Sequence, residues 1–505
     1  MNGRVIAQRR IVVAAGLATV AGCGLIVPLV PDRLTNLFLE EGAVNARRFT
    51  PVQLDPQSED SAGPQFVATG DLNGDGRMDV ASAWNESKPI QLHFQRVDDE
   101  GVITFETISL AGDFPISIVA GVAVADMDQD GRNDVVVLVK DMGVFARCRQ
   151  TGVFSDAEDT PAGAIIIYYG PDDPATSNNS FTWTDVQLSQ SVTAGASPAD
   201  ARMPEAGGFT SMAIADMDGA NGPDIVVAWN AAECEGAGNR IEFYTNPGTG
   251  TARQESAWAP FTVEVDAPPI KSVVTADVDR DGDLDIIATY PSARTSSVRW
   301  MRNPRIDVPD AFHLTDGTWK RGSIAVIAPG SDIVDVGDMD GDDIVDVVMR
   351  SSAGRLIMWF KGPERPTTAP VRFVPWQAFT VAEFITRTPE AISLGDIDQD
   401  GQLEIAASAQ GALLWFDTFG GSTVYDQWEE NLLIDDNPPT ADLPAVTDPN
   451  VDRSEITENA TFINAVKVVD LDGDGLMDIL STLDRRGISG LSNDAIIWYR
   501  NTGRE

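Results

Sequence analysis

A nine-residue acidic pattern recurs seven times along this chain, and it limits the possible folds more than any other feature. Its clearest copy, DLDGDGLMD, carries Asp470, Asp472, Asp474 and Asp478 at positions 1, 3, 5 and 9, with Gly475 at position 6. A hard cation such as calcium gathers six to eight oxygen ligands at about 2.3–2.6 Å. Alternate side chains can face one ion only where the backbone turns tightly, and glycine reaches the required φ > 0 at little cost. Without a cation, acids at this spacing repel one another.

The first copy is Asp71, Asn73, Asp75 and Asp79, and the second is Asp126, Asp128, Asp130 and Asp134. The third keeps Asp216, Asp218 and Asp224 but has Ala220 at position 5 and Asn221 at position 6. The fourth is Asp277, Asp279, Asp281 and Asp285. The fifth is Asp338, Asp340, Asp342 and Asp346, with Asp343 in the glycine position. The sixth, Asp396, Asp398, Asp400 and Glu404, ends on an acid one carbon longer. Asn and Asp tolerate a left-handed backbone best among side-chain-bearing residues, so the third and fifth loops are expected to close. A helix-loop-helix calcium hand needs an acid at position 12. Here that position holds Ser82, Val137, Val227, Ala288, Met349, Ala407 and Ser481. Position 9 leads directly into a β-branched apolar run such as Val135–Val139, so each loop joins two strands.

The loops begin at residues 71, 126, 216, 277, 338, 396 and 470, mostly about 60 residues apart. Each unit reads as an entering strand, the loop, and three more strands. In the first unit these are Gln65–Thr69, Val80–Trp84, Ile90–Arg96 and Thr104–Leu110. Seven four-stranded antiparallel units predict an all-β, seven-bladed propeller, in which radial closure protects the sheet edges. The ends agree. After Ile479–Leu483 and Ala495–Asn501 no fourth strand follows, while Phe49–Leu54 has no unit of its own and resembles Phe181–Leu188. The amino-terminal strand is therefore expected to complete the last blade.

On these residues, the chain from 47 to 505 resembles the FG-GAP/VCBS repeat family, which includes the seven-bladed propeller of integrin α subunits. The resemblance implies calcium at up to seven loops, with side chains at positions 1, 3, 5 and 9 and a carbonyl at position 7. In the six loops other than the third, those carbonyls belong to Arg77, Arg132, Asp283, Ile344, Gln402 and Leu476. The third loop, which lacks a position 5 ligand, departs from the pattern. In integrins the face opposite the calcium loops recruits partners.

Residues 1–23 read as a targeting segment. Arg4, Arg9 and Arg10 precede an apolar run, and Val20-Ala21-Gly22-Cys23 resembles a bacterial lipobox, which implies lipidation of Cys23. Ordinary secretion and a retained apolar anchor are the alternatives; each places the chain outside the cytoplasm, as a cell-surface or outer-membrane lipoprotein or as a secreted protein. Residues 24–46 read as a tether. Cys148 and Cys234 both follow second strands in neighbouring units, so a disulfide is expected, with two free buried thiols as the alternative. The formal charge of −41 argues against nucleic acid and against docking to anionic lipid except through an amino-terminal lipid or anchor.

Long connections fall at Asp141–Ala164 and Asp435–Thr461. Antiparallel order puts both on the face opposite the acidic loops, where a protein or glycan partner is expected to bind a monomeric ring. Trp300, Trp359, Trp415 and Trp498 open the related runs WMRN, WFKG, WFDT and WYRN and are expected to pack between blades, as are Trp84 and Trp229. Trp183, Trp258, Trp319, Trp376 and Trp428 remain as weaker candidates for ligand contact. No catalytic residue is assigned: His93 and His313 are the only histidines. The function expected is a calcium-binding adhesion or recognition module. A carbohydrate-active enzyme (lyase or glycosidase) and a structural envelope module are the alternatives.

Overall fold

The computed structural model describes residues 49–54, 63–84, 90–110, 116, 118–141, 163–188, 207–231, 238–292, 296–306, 319–327, 330–364, 376–418, 428–435, 461–485 and 494–503. Residues 1–46, the expected targeting segment with Cys23 and the expected tether, together with Cys148, Cys234, His313 and nearly all of both long connections, lie outside them.

The described residues form seven antiparallel sheets. Blade 1 comprises Pro64–Gly70, Asp79–Trp84, Ile90–Val97 and Ile103–Ser109, in that spatial order. Blades 2 to 6 repeat the arrangement, entering with Ile118–Ala125, Gly207–Ala215, Ser272–Ala276, Ser331–Gly337 and Pro389–Gly395. In blade 7 the entering strand is broken into Thr461–Phe462 and Val466–Val469, both paired with Asp478–Arg485. Entering strands of neighbouring blades touch in an unbroken cycle, and Val466–Val469 returns to Pro64–Gly70.

The ring closes as the sequence requires. Phe49–Gln53 pairs antiparallel with Ala495–Asn501, Phe49 opposite Asn501 and Gln53 opposite Ile497. It supplies the outer strand that the last blade lacks.

The core is a set of layers between blades. The first six residues of each second strand are buried, so both faces of each must be largely apolar, as in the run Val135–Val139. Successive side chains on a strand point to opposite faces. Val135, Val137 and Val139 accordingly pack against blade 1, while Val136 and Leu138 pack against blade 3. The same partition recurs around the ring, and the last layer joins Leu480 and Trp498 of blade 7 to Val80 and Trp84 of blade 1. Blades meet closely beside the acidic loops. A Cβ added to Gly395 would lie 2.9 Å from Val468 Cβ on the next blade, so only glycine fits there.

Trp300, Trp359, Trp415 and Trp498 are buried in these layers. Trp359 stacks on Phe379 at 4.9 Å and meets Trp428 of blade 6 edge-on at 6.2 Å, while Trp498 meets Phe105 of blade 1 at 6.1 Å. Trp84 and Trp229 are buried as well. The candidates for ligand contact do not present themselves to solvent: Trp183, Trp258, Trp319 and Trp376 are buried, and Trp428 packs against the blade 5–6 layer. The strand expected over Phe181–Leu188 is shorter, Thr184–Leu188. Phe181 lies instead in a 3-10 turn, Ser180–Thr182, where its N–H donates to Asn179 Oδ1.

Candidate metal centres in the acidic loops

Each acidic loop joins a first strand to a second, so all seven lie on one face of the ring. The position 1 carboxylate organises the turn. Asp71 Oδ1 accepts from Gly74 N–H at 2.7 Å and Asp75 N–H at 3.2 Å, and its Oδ2 accepts from Gly76 N–H at 2.8 Å. Position 6 is left-handed throughout: Gly76, Gly131, Gly282, Gly401 and Gly475 have φ of 80–93°, and Asn221 and Asp343 stand at 62° and 60°. The two substituted loops thus close as expected. Position 4 is left-handed too, with Gln129, Arg280 and Gln399 taking it in three loops.

The position 9 acid is buried and ties the loop to the blade. Asp79 Oδ2 accepts from Leu72 N–H at position 2, and Oδ1 from Gln95 N–H just beyond the third strand's contact with it. Asp134, Asp224, Asp285, Asp346 and Asp478 repeat both bonds. Glu404, one carbon longer, accepts from Ile397 and Asp398 N–H with one oxygen. Burial pushes these carboxyls up, Asp79, Asp134, Asp224, Asp346 and Asp478 to about 7 and Asp285 and Glu404 to about 8. The backbone donors oppose that rise only in part. A cation among the carboxylates would favour their ionised form.

Carboxylate oxygens converge in the loops. Asp126, Asp128 and Asp134 each bring an oxygen within 4.8 Å of the others, as do Asp216, Asp218 and Asp224. Asp277, Asp279 and Asp285, and Asp338, Asp340 and Asp346, do likewise. Asp396, Asp398, Asp400 and Glu404 contribute four. Asp128 Oδ1, Asp340 Oδ1, Asp396 Oδ1 and Glu404 Oε1 are buried without a hydrogen-bond partner, which suits ligation. All-oxygen donors of this kind fit a hard divalent cation.

Two features of these loops escape the spacing argument. A basic side chain bridges positions 3 and 5 in several blades. Arg302 donates to Asp279 and Asp281 at 2.6 Å each, and Lys361 pairs with Asp340 and Asp342. Arg500 pairs with Asp472, and Arg253 reaches Asp128 from blade 3. The signal was present as the third letter of WMRN, WFKG and WYRN. The second feature is an amide that sews neighbouring loops together. Asn303 Nδ2 donates to Leu284 O of its own loop and to Met217 O of the preceding one, at 3.0 and 2.9 Å. Asn246 bridges to Met127, Asn501 to Ile397 and Gln95 to Leu471 in the same way. Asn303→Ala would strand two buried carbonyls, and urea melts should show a loss of ~2–3 kcal/mol.

His93 is a core residue. Its ring nitrogens meet Ser82 Oγ at 2.8 Å and Thr107 Oγ1 at 2.9 Å, and burial pushes the imidazole down to about 3. The unfolded chain, with its value near ~6.5, therefore binds the proton first. The His93 contribution is complete above that pH and declines as pH falls toward about 3, by up to ~1.4 kcal/mol per unit. His93→Gln should flatten this decline; urea melts of both proteins between pH 7 and 5 would measure the difference.

Residues 71–137 and 216–288 match the FG-GAP-like repeat family. No curated protein matches the chain. Among similar solved structures, one described as the Dos1 propeller aligns over 91% of this chain and 97% of its own, at 8% identity and a TM-score of 0.44. Another, described as the basis of specific recognition of non-reducing terminal N-acetylglucosamine by an Agrocybe aegerita lectin, aligns over 74% of this chain and 81% of its own, at 14% identity and a TM-score of 0.41. The two matching stretches lie in a closed ring of seven four-stranded blades, so the chain is a seven-bladed β-propeller, consistent with an FG-GAP propeller.

Proposed function

We propose that the acidic loops bind calcium and that the chain acts outside the cytoplasm as a recognition propeller for a protein or glycan partner. The convergence of carboxylate oxygens within 4.8 Å in loop after loop carries the calcium reading. Positions 1, 3, 5 and 9 supply side chains, and the position 7 carbonyls, from Arg77 to Leu476, complete the shell. The ions are structural: each clamps the turn between two strands, so binding is coupled to folding. Recognition belongs to the opposite face, where the strand ends at Asp141, Ala164, Asp435 and Thr461 give rise to the two long connections. The lipobox-like Cys23 and the apolar segment before it support export with a lipid or peptide anchor, or secretion.

The test is a glycan array and a protein pull-down on the exported chain, each with calcium and with EDTA, beside a polysaccharide-release assay. Calcium-dependent retention without product release supports the proposal. Release of sugar fragments would replace it with the enzyme reading.

A further inference from the structure

The seven loops are not equal, and blade 6 differs in a way its own motif does not encode. Strand register gives a common reference point. The third-strand residue following the partner of position 10 is Arg302 in blade 4, Lys361 in blade 5 and Arg500 in blade 7. Each lies over its loop and pairs with the acids at positions 3 and 5. In blade 6 the same register point holds Asp417, after Phe416 opposite Ile405. The charge directed at the loop is thus reversed. Asp417 also stands across from Glu429 on the fourth strand, which adds a further negative neighbour.

In the blade 6 loop four acids bring oxygens within 4.8 Å of one another, where the clusters of blades 2 to 5 bring three. Glu404 is 0 % exposed, belongs to that group, and its Oε1 has no hydrogen-bond partner. Asp417 Oδ1 is likewise buried and without a donor. Two carboxylate oxygens from different strands are therefore withheld from water with nothing to neutralise them, an arrangement that a cation would satisfy.

We propose that Asp417 is an added acidic determinant of the blade 6 site and makes it the tightest divalent-cation site of the ring. This rests on reading the loops as cation sites. Ligand charge is among the factors that set calcium affinity over several orders of magnitude. A blade whose third strand contributes Asp instead of Arg or Lys gains attraction for the ion where its neighbours accept repulsion. Blades 4, 5 and 7 then hold ions that exchange readily, and blade 6 keeps its ion when they are lost.

The experiment is a calcium titration of the metal-stripped full-length protein against a competing chromophoric chelator, with far-ultraviolet circular dichroism to verify folding in saturating calcium. Wild type should show one ion bound at least ~10-fold more tightly than the rest. Asp417→Lys should remove that tight class while leaving the weaker ones, and Asp417→Asn should weaken it by a smaller factor. Lys361→Asp, which copies the blade 6 arrangement into blade 5, should create a second tight ion and decides the matter if Asp417→Lys does not fold. An unchanged isotherm in folded Asp417→Lys, or no added tight ion in Lys361→Asp, overturns this proposal alone. A wild-type chain that binds no calcium overturns it together with the reading of the loops.

Discussion

Removing divalent cations should lower the thermal midpoint by roughly 10–20 °C. Extracellular calcium modules commonly bind near ~10⁻⁴–10⁻³ M. At about 10 mM calcium, each such site stabilises the folded state by ~1.4–2.7 kcal/mol through mass action. Several sites together reach on the order of 10 kcal/mol, comparable with the whole stability of an ordinary domain. In a chain this long each kcal/mol moves the midpoint by only a degree or two. Differential scanning calorimetry in calcium and in EDTA, with magnesium as a third arm, would read the effect. A curve indifferent to EDTA would falsify a structural role for the ions. Magnesium should restore little, because it demands a smaller octahedral shell and sheds water reluctantly.

Deleting residues 47–54 should open the ring. Phe49 and Leu54 are buried in two different layers, Phe49 between blades 6 and 7 and Leu54 between blades 7 and 1. One short strand therefore fastens the last blade to both neighbours. Its loss removes a ladder along Ala495–Asn501 and the Leu54 N–H bond to Ile496 O. Burial of the two large side chains alone represents ~5–10 kcal/mol. The exposed edge of Ala495–Asn501 would then be free to pair between molecules. Size-exclusion chromatography should show aggregation of the deleted protein, and Phe49→Ala alone should cost ~3–5 kcal/mol in a urea melt. A truncation as soluble and heat-resistant as the parent would refute closure by this strand.

Most of the architecture could be read from the chain because one local pattern repeats. Position 9 and the β-branched run after it set strand identity in every unit, and the missing fourth strand after Asn501 pointed to Phe49. Asn221 and Asp343 were legible as turn residues because their side chains tolerate the backbone that glycine usually takes. Position 4 was not, since Gln129, Arg280 and Gln399 carry no such preference and are held left-handed by the closed turn. The asparagine stitches were hidden for another reason. Asn303 and Met217 are 86 residues apart, and no spacing within one repeat tells which neighbour a side chain will reach. Arg302, Lys361 and Arg500 recur as the third letter of their runs, but only strand register places them over their own loops. The over-long strand at Phe181 failed on local chemistry: Asn179 caps a short turn, Ser180–Thr182, that takes up the start of the expected extended run.

The pairing of Phe49–Gln53 with Ala495–Asn501 also bears on biogenesis. A clasp between segments more than four hundred residues apart cannot form while the carboxyl-terminal half is still being made. Until then the nascent chain carries an unpaired first strand and a growing arc of blades, so its window of vulnerability to proteases and to self-association spans nearly the whole of synthesis. If the loops hold calcium and the chain is exported, as proposed above, a low-calcium compartment during synthesis and a calcium-rich one at the destination would turn that delay to use, keeping the chain pliable in transit and setting it on arrival.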